Sequence, residues 1–324
     1  MEKGILLLSL DFELFWGVQD GHTYDDYGSN VLGGRKAIPK LLELFDNHDV
    51  HCSWATVGMM FAESKEELYK YSPKPENRPH YDNSILSSYR VLDKIGNNEK
   101  EDKYFYGKSL IDKISEHRYQ EIASHTFSHY YARETGQNIN EFQSDLMAAS
   151  KIARDKGYEI KTLVFPRNQS KQEYENAVLN NGFVAYRGEE RDWIHKIKIT
   201  IIKRMFRLLD SYINLTGSEC YKKSDFKKGE IHNFRGSRFL RPYNYKLRFF
   251  ENLKIRRIKG QMKHAAKNGE IFHLWWHPHN IGINTEKNLN NIEEILNYYD
   301  FLKSKYGMES KNMCELANEI NEEN

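Results

Sequence analysis

The chain has 324 residues, of which 39% are hydrophobic and 29% charged, with 21 Tyr and 17 Phe; such a composition excludes a disordered protein. Its three cysteines are scattered, so neither a disulfide framework nor a paired-cysteine metal site is expected. The apolar run at residues 4–10 is too short to span a bilayer and lacks the flanks of a signal peptide, so we expect a cytoplasmic protein.

Short apolar runs alternate with helical periodicity along the chain. Residues 4–10 are continuously apolar, which is typical of a strand buried on both faces, and residues 35–48 carry apolar residues at helical spacing. Further strands are predicted at 51–57, 121–124, 162–165, 183–186 and 270–275, and further helices at 108–117, 140–156, 171–181 and 286–306. This rhythm predicts a mainly parallel sheet or barrel with its chemistry at the carboxyl ends of the strands.

Two segments interrupt this rhythm. Residues 64–106 are polar and contain three prolines, which predicts a loop-rich insertion. Residues 196–263 contain 19 Lys and Arg against 5 Asp and Glu, a balance of +14 in a chain whose net charge is +2. Apolar residues repeat every three or four positions from 194 to 213 with cations between them, which predicts an amphipathic basic helix. We therefore expect a single domain, 1–324, with insertions at 64–106 and 194–264.

Acidic residues follow the first predicted strand. In an extended chain the side chains of Asp11 and Glu13 point to the same side, about 7 Å apart. Both could therefore serve one site, one as a metal ligand and the other as a base. Trp16 lies just beyond and could line this site or belong to the core.

Histidines follow two later strands. His125 and His129 come directly after the strand at 121–124, and their i, i+4 spacing predicts a helical turn on which two imidazoles share a divalent ion. Hydrogen-bonded surface histidines are the alternative. The last strand leads into a dense run of histidine and tryptophan at residues 273–280, where Trp275 and Trp276 could stack on a sugar or belong to the core.

The order of these strand ends resembles the polysaccharide deacetylase family, also called the NodB-homology or carbohydrate esterase family 4 proteins. In that family an acidic motif closes the first strand, a His-(Ser/Thr)-x-x-His motif supplies two metal ligands, a Pro/Arg motif lines the groove, and a late strand ends in an acid histidine. The matching residues are, in order, 9–13, 125–129, 166–167 and 274–277. The resemblance covers residues 4–186 and 268–285, and it implies a distorted (β/α) barrel with a basic helical insertion before the last strand.

The resemblance also implies a reaction, the hydrolysis of a linear amide in which an acetyl group is removed from an N-acetylated sugar. Glu13, His125 and His129 would hold one divalent ion, which we expect to be zinc, with Asp11 as the base and His277 as the acid. The ion would activate a water molecule and polarise the carbonyl group. The other site residues implied are Arg167 and Asp192, which would tune these groups electrostatically, and Trp16, Pro166, Asn168, Trp275 and Trp276, which would contact the substrate.

Two features depart from the family's pattern. The commonest first motif has adjacent aspartates, whereas here Asp11 and Glu13 flank one residue. Glu13 fits a variant of that motif as the ligand, and Asp11 is the alternative ligand. The family's arginine precedes the proline by several residues, whereas Arg167 follows Pro166 directly.

Two rival functions belong to other classes. One is a metal-free hydrolase of small cyclic amides, similar to the allantoinase-like relatives, whose last motif also contains His-Pro; the presence of both His125 and His129 favours a metal instead. The other is a non-catalytic protein that binds sugars or an anionic polymer through its basic block. Because no nucleic-acid motif accompanies that charge, we expect no specific nucleic acid partner.

The basic helix at 194–213 indicates a further partner. Its apolar face is flanked by Lys and Arg, as in helices that lie at a membrane interface. We expect a nucleotide- or lipid-linked glycan precursor as the substrate and an anionic membrane surface as a partner, with peripheral binding at the inner face. The alternative is that the apolar face packs on the barrel while the charges face water.

Overall fold

The computed structural model describes residues 2–190 and 192–323. The elements are β1 (Ile5–Phe12), α1 (Tyr24–Asn47), β2 (Cys52–Thr56), α2 (Lys65–Tyr71), α3 (Lys108–Ser115), β3 (Gln120–Ser124), α4 (Ile139–Asp155), β4 (Thr162–Val164), α5 (Gln172–Asn180), β5 (Ala185–Arg187), α6 (Thr200–Asp210), β6 (His232–Asn233), β7 (Arg238–Phe239), α7 (Glu251–Asn268), β8 (Ile271–Trp276), α8 (Thr285–Tyr306), β9 (Glu309–Lys311) and α9 (Met313–Glu323). The strands and helices predicted outside the two interrupting segments are present, and α1 begins eleven residues earlier than predicted.

The strands form one curled, parallel sheet in the order β6-β5-β4-β3-β2-β1-β8-β7, with β9 paired to β1. The prediction of a distorted (β/α) barrel is confirmed. Because the strands run in the same direction, the segments that follow β1, β3, β4, β5 and β8 meet at one edge of the sheet. That edge carries the residues singled out from the sequence.

The central strand, β1, explains why polar groups reach that edge. Its even-numbered residues, from Leu6 to Phe12, pack in the larger hydrophobic core, whereas Ile5 and Leu7 belong to a second core. Ser9 and Asp11 continue the face of Ile5 and Leu7. A slip of one residue in register would expose the leucines and bury these polar groups in the large core, and burying each leucine is worth about 1.5–3 kcal/mol.

Strand β8 alternates in the same way beside β1. Leu274 and Trp276 pack in the larger core, where the Trp276 ring lies 6.3 Å from that of Phe45. His273 and Trp275 occupy the alternate positions. Trp276 is therefore a core residue, and the expectation that it contacts substrate is corrected by the strand's own alternation.

The observed secondary structure of the two interrupting segments departs from the predicted one, slightly in residues 64–106 and more in the basic block. Residues 64–106 contain α2 and otherwise consist of loops and short 3-10 turns, close to the loop-rich segment predicted. The basic block is less helical than predicted, because it supplies β6 and β7 to the sheet as well as α6 and α7. Within the described residues, no helix combines the length and the apolar character needed to cross a bilayer.

Candidate active site

A buried carboxylate, Glu13, lies at the centre of the polar edge. One of its oxygens, Oε2, lies 3.2 Å from His125 Nε2 and 3.1 Å from His129 Nε2. Their side chains are almost completely buried. Burial raises the pKa of Glu13, but the neighbouring imidazoles outweigh it and hold that pKa well below its ordinary value. The structure therefore brings together the three side chains that the sequence pattern grouped as a metal site.

The loop that carries both histidines is not the helical turn that we predicted. Thr126 and His129 have φ angles of 62° and 57°, in the left-handed region. The buried carboxylate of Asp145, on α4, holds the loop by accepting hydrogen bonds from the backbone N–H groups of Phe127 (2.7 Å) and Ser128 (3.1 Å). These bonds substitute for the backbone bonds that a helix would make, so tertiary contacts fix the loop.

The donor set of this cluster fits a divalent cation. His125 Nδ1 donates to the carbonyl oxygen of Val164 at 2.8 Å, so in the tautomer that makes this bond the Nε2 lone pair faces Glu13. Burial lowers the pKa of His129, which favours the neutral form of that ring. Lone pairs of two imidazoles and a carboxylate oxygen then converge within 4.8 Å, an arrangement that a cation between them would stabilise.

A second set of imidazoles lies on the other side of the same carboxylate. Glu13 Oε1 lies 3.7 Å from His277 Nε2 and 3.8 Å from His279 Nε2. These distances are longer than those to His125 and His129, so the first pair is the tighter ligand set. Burial lowers the pKa of His279 to about 3, so this ring is neutral.

A glycine gives the Glu13 carboxylate its space. A Cβ atom on Gly17 would lie 2.0 Å from Glu13 Cδ, well inside van der Waals contact. We therefore expect Gly17→Ala to displace this carboxylate and lower divalent-metal affinity about tenfold or more, as the loss of a supporting contact does in metal sites. Metal titration of the purified variant would measure it. Gly21→Ala, where the added Cβ meets nothing within 4 Å, is the control, and equal affinities in the two variants would contradict the prediction.

Arg187, which the sequence analysis did not single out, forms a buried ion pair with Asp11. Its Nη2 lies 2.5 and 2.7 Å from the two Asp11 oxygens, its Nη1 donates to Ser9 Oγ at 2.5 Å, and its Nε donates to Asn168 Oδ1 at 2.9 Å. Burial raises the pKa of Asp11, but the charges of Arg187, His277 and His125 together outweigh it, and the net pKa lies below the ordinary value. Asp11 is thus held as an oriented carboxylate.

His273 has a structural role in the same hydrogen-bond network. Its Nδ1 donates to the carbonyl oxygen of Phe234 at 2.9 Å, so its Nε2 accepts from the Ser9 hydroxyl at 2.7 Å. Burial lowers the pKa of His273 to about 3. His273 therefore supports Ser9, and through it Arg187, and it does not reach the groove.

His277 differs from these buried rings because it faces an open groove. Its Nδ1 donates to Asn280 Oδ1 at 3.0 Å, an orientation fixed by the bond from Asn280 Nδ2 to the Tyr27 hydroxyl. Its Nε2 lies 3.5 Å from Asp11 Oδ2. His277 is the histidine of the last strand end that combines exposure to the groove with proximity to Asp11, as the sequence pattern indicated.

The groove has a cavity volume of about 360 Å³ and a mostly polar lining. The lining residues are Asp11, Glu13, Gly17, His129, Arg133, Arg167, Asn168, Gln169, Glu189, Glu190, Lys203, Arg207, Trp275 and His277. This size suits a small ligand such as a single sugar, because ligand sites typically enclose about 300–1,000 Å³.

Trp16 and Pro166, two of the predicted substrate-contact residues, have other roles, and a third, Trp275, is partly covered. Trp16 is completely buried and its Nε1 donates to the carbonyl oxygen of Phe105 at 2.8 Å, so it is a core residue. Pro166 is buried and begins a short 3-10 turn, Pro166–Asn168. Trp275 does line the groove, but the Arg187 guanidinium lies 4.3 Å above its ring, which covers one of the faces that could stack on a sugar.

Neither residue proposed as an electrostatic partner contacts Asp11. Arg167 lines the groove and pairs with Asp20 and Glu134 at 2.5 and 2.8 Å. Asp192 Oδ1 accepts from the backbone N–H of Ile194 and lines an adjacent pocket rather than the groove. Arg187 occupies the position beside Asp11 that the resemblance suggested for Arg167, which corrects that expectation.

A scan against protein-family models and a search of curated proteins give no match. Among solved structures, the fold is similar to that of a candidate polysaccharide deacetylase from Mycobacterium smegmatis (11% identity, 100% of this chain and 92% of that chain covered, TM-score 0.59). It is also similar to a candidate polysaccharide deacetylase from Pseudomonas aeruginosa PAO1 (11%, 99% and 92%, 0.58) and to Puue allantoinase (11%, 98% and 90%, 0.55). At this identity the similarity shows the fold, which is the barrel implied by the resemblance.

Proposed function

We propose that the chain is a metal-dependent amide hydrolase that removes an acetyl group from an N-acetylated sugar. The observation that carries the proposal is the convergence of Glu13, His125 and His129 beside a second, Arg187-paired carboxylate, Asp11, on the floor of an open groove. Glu13, His125 and His129 would hold the ion, which we propose to be zinc. When bound, the ion would supply a Lewis acid for the carbonyl group and the attacking water.

The protein's own groups account for the proton transfers. Water attacks the amide carbonyl carbon, and Asp11, held ionised by Arg187, accepts its proton. The C–N bond then breaks as His277 Nε2 gives a proton to the leaving nitrogen, so acetate and a free amine result. The bond from His277 Nδ1 to Asn280 keeps Nε2 directed into the site. Each of these acid and base contributions is typically worth ~10²–10⁴-fold in rate.

The residues that line the groove also indicate the charge of the substrate. Lys203 and Arg207, both on α6, line it, and no carboxylate of the described residues lies within 4.0 Å of their charged nitrogens. Arg133 and Arg167 also line the groove but pair with acids. Two cations with no acidic partner among the described residues favour an anionic carrier, so the acetylated sugar is proposed to bear a phosphate or diphosphate.

The activity can be tested by mass spectrometry with a panel of N-acetylated sugars, sugar nucleotides and lipid-linked sugar phosphates. We expect a loss of one acetyl group, about 42 mass units by elementary arithmetic, from the phosphate-bearing members first. Loss of acetyl from O-acetylated analogues alone would replace an amidase with an esterase. If no member reacts with zinc-loaded protein, the proposed function is wrong.

Replacing His277 should separate catalysis from metal binding. We expect His277→Ala to lower kcat by ~10²-fold or more while the metal content stays unchanged, since the tighter ligand set does not include this ring. His22→Ala, a half-exposed histidine beside Asp26, is the matched control. Near-normal activity of His277→Ala would refute its assignment as the acid.

The metal-free hydrolase of cyclic amides is the second candidate, favoured by the His277-Pro278 pair and by a fold shared with Puue allantoinase. It predicts activity on a cyclic amide that survives chelation. A parallel assay with a chelator therefore distinguishes the two candidates, because the deacetylase requires the ion.

A further inference from the structure

Exposed apolar side chains are concentrated in the basic block. Of 19 large hydrophobic residues exposed in the described part of the chain, 11 lie between residues 193 and 253. They are Trp193, Ile199, Ile201, Met205, Leu208, Leu209, Ile213, Tyr245, Phe249, Phe250 and Leu253. Scattered exposed hydrophobic residues are normal, but such a concentration marks an interaction surface.

In an ordinary surface helix the apolar residues face the protein, whereas in α6 the apolar residues Ile201 and Met205 face solvent. Ile201 and Met205 are 76% and 51% exposed, whereas Lys203 and Arg207 on the inner side line the groove. At the end of the helix, buried Asp210 pairs with Arg238. Ile201 and Met205 therefore do not pack on the barrel, and the inner side of α6 meets the polar groove at Lys203 and Arg207.

A second segment extends this apolar face. Residues 245–250 form a 3-10 helix that leads directly into α7, and Tyr245 and Phe249 on it are 66% and 78% exposed. The two segments are joined by the rings of Tyr212 and Phe250, whose centroids lie 6.2 Å apart. Together, residues 199–213 and 245–253 form what we call the apolar apron.

The apron is flanked by exposed cations. Lys198 and Arg204 lie on the α6 side, and Lys246 and Arg248 lie on the other side. All four are exposed, and no carboxylate of the described residues lies within 4.0 Å of their charged nitrogens. Arg248 stacks on Tyr245 and Phe249, with its guanidinium carbon about 4.5 Å from each ring centroid, which places its charge beside the apolar side chains.

We propose that the apron docks the protein reversibly on an anionic lipid membrane. Apolar side chains surrounded by cations match the two layers of such a surface, in which acyl chains lie beneath anionic headgroups. A second copy of this chain would have to bring the same cations face to face, and charge complementarity therefore favours the membrane as the occupant. Binding needs no catalysis, so it can be tested separately from the proposed function.

Docking would place the groove beside the lipid, because one helix supplies both surfaces. The side chains of Lys203 and Arg207 line the groove, while Ile201 and Met205 on the same helix point to solvent. This consequence rests on the proposed function: the acetylated sugar would then be presented on a lipid phosphate rather than on a soluble nucleotide.

Vesicle co-sedimentation of the full chain tests the docking. We expect the protein to sediment with phosphatidylcholine vesicles that contain phosphatidylglycerol, and to remain in the supernatant with pure phosphatidylcholine or at high salt. Arg204→Gln should weaken binding about fivefold, since one cation near anionic lipid is worth that factor. Binding that is indifferent to lipid charge and salt would overturn the proposal.

A matched pair of variants locates the surface. We expect Ile201→Glu/Met205→Glu to weaken vesicle binding at least tenfold, while Ile85→Glu/Met147→Glu, which changes two residues of similar exposure elsewhere, binds like the parent. Sedimentation velocity of the same proteins reports on a second copy. A parent dimer that the α6 variant converts to a monomer, with no vesicle binding, would assign the apron to self-association and overturn the proposal.

Discussion

A chain carrying His125→Ala and His129→Ala is expected to lose its divalent metal and to retain less than about one thousandth of its kcat/KM. The double variant loses His125 and His129, two of the three proposed metal ligands, and with them the Lewis acid. That Lewis acid is worth several kcal/mol of activation free energy, and about 1.4 kcal/mol corresponds to a factor of ten in rate. Metal content after dialysis, measured by inductively coupled plasma mass spectrometry, and kcat/KM on the reactive substrate are the measurements.

The control changes two histidines outside the groove in the same way. His48 and His117 pair through Nδ1 with Asp300 and Asp46, so His48→Ala/His117→Ala should keep both metal and activity. A full equivalent of metal in the His125→Ala/His129→Ala protein would contradict the ligand assignment.

The second imidazole set makes this experiment more informative. If the ion instead lies between Glu13 Oε1, His277 and His279, the metal will remain in the His125→Ala/His129→Ala protein and disappear from His277→Ala/His279→Ala. The shorter distances to His125 and His129, together with the bond that fixes the His125 ring, favour the first set. His277 then keeps its Nε2 for proton transfer.

The features that could be predicted from the sequence are those that depend on a local pattern of residues. Apolar runs bounded by polar residues located the strands, and the two-residue alternation correctly placed Asp11 and Glu13 on one side. The same alternation, applied strictly, separates Trp275 from Trp276: residues 273, 275 and 277 share a face, so Trp276 must point to the core. The sequence held that information, although either tryptophan alone was ambiguous.

What could not be predicted depends on contacts between distant segments. The left-handed φ angles at Thr126 and His129 exist because Asp145 caps the loop from α4, and no local signal in residues 125–129 shows this. The direction of the α6 apolar face was likewise undecided, since periodicity gives an apolar stripe but does not say what lies against it. Only the position of α6 over a polar groove settles that question.

Arg187 lies between these two cases. It follows a short apolar run, Phe183 to Tyr186, at the kind of strand end where the other candidate residues were found. The signal was therefore present, but the resemblance directed attention to Arg167, which follows the preceding strand. The structure shows that β5, not β4, brings its arginine across the barrel to Asp11, because the Arg167 side chain pairs instead with Asp20 and Glu134 at the rim of the groove.

Arg187→Met is expected to lower kcat by about 10²-fold or more while changing KM little and leaving the metal bound. Arg187 contacts Asp11, Ser9 and Asn168 but none of Glu13, His125 and His129, so its loss disorients the base without removing a ligand. It also leaves Asp11 as an unpaired buried charge, which costs about 3–5 kcal/mol of folding free energy.

Because that cost threatens folding, Arg187→Lys provides the second measurement. Lysine keeps the positive charge but cannot reach both Asp11 oxygens, Ser9 and Asn168 at once, so we expect restored stability with kcat still reduced about tenfold or more. Arg167→Met is the matched control: its partners lie at the exposed rim, so kcat should change less than about threefold. A larger loss of kcat in Arg167→Met than in Arg187→Lys would show that the base is oriented from the rim of the groove, and that the buried pair with Asp11 serves stability alone.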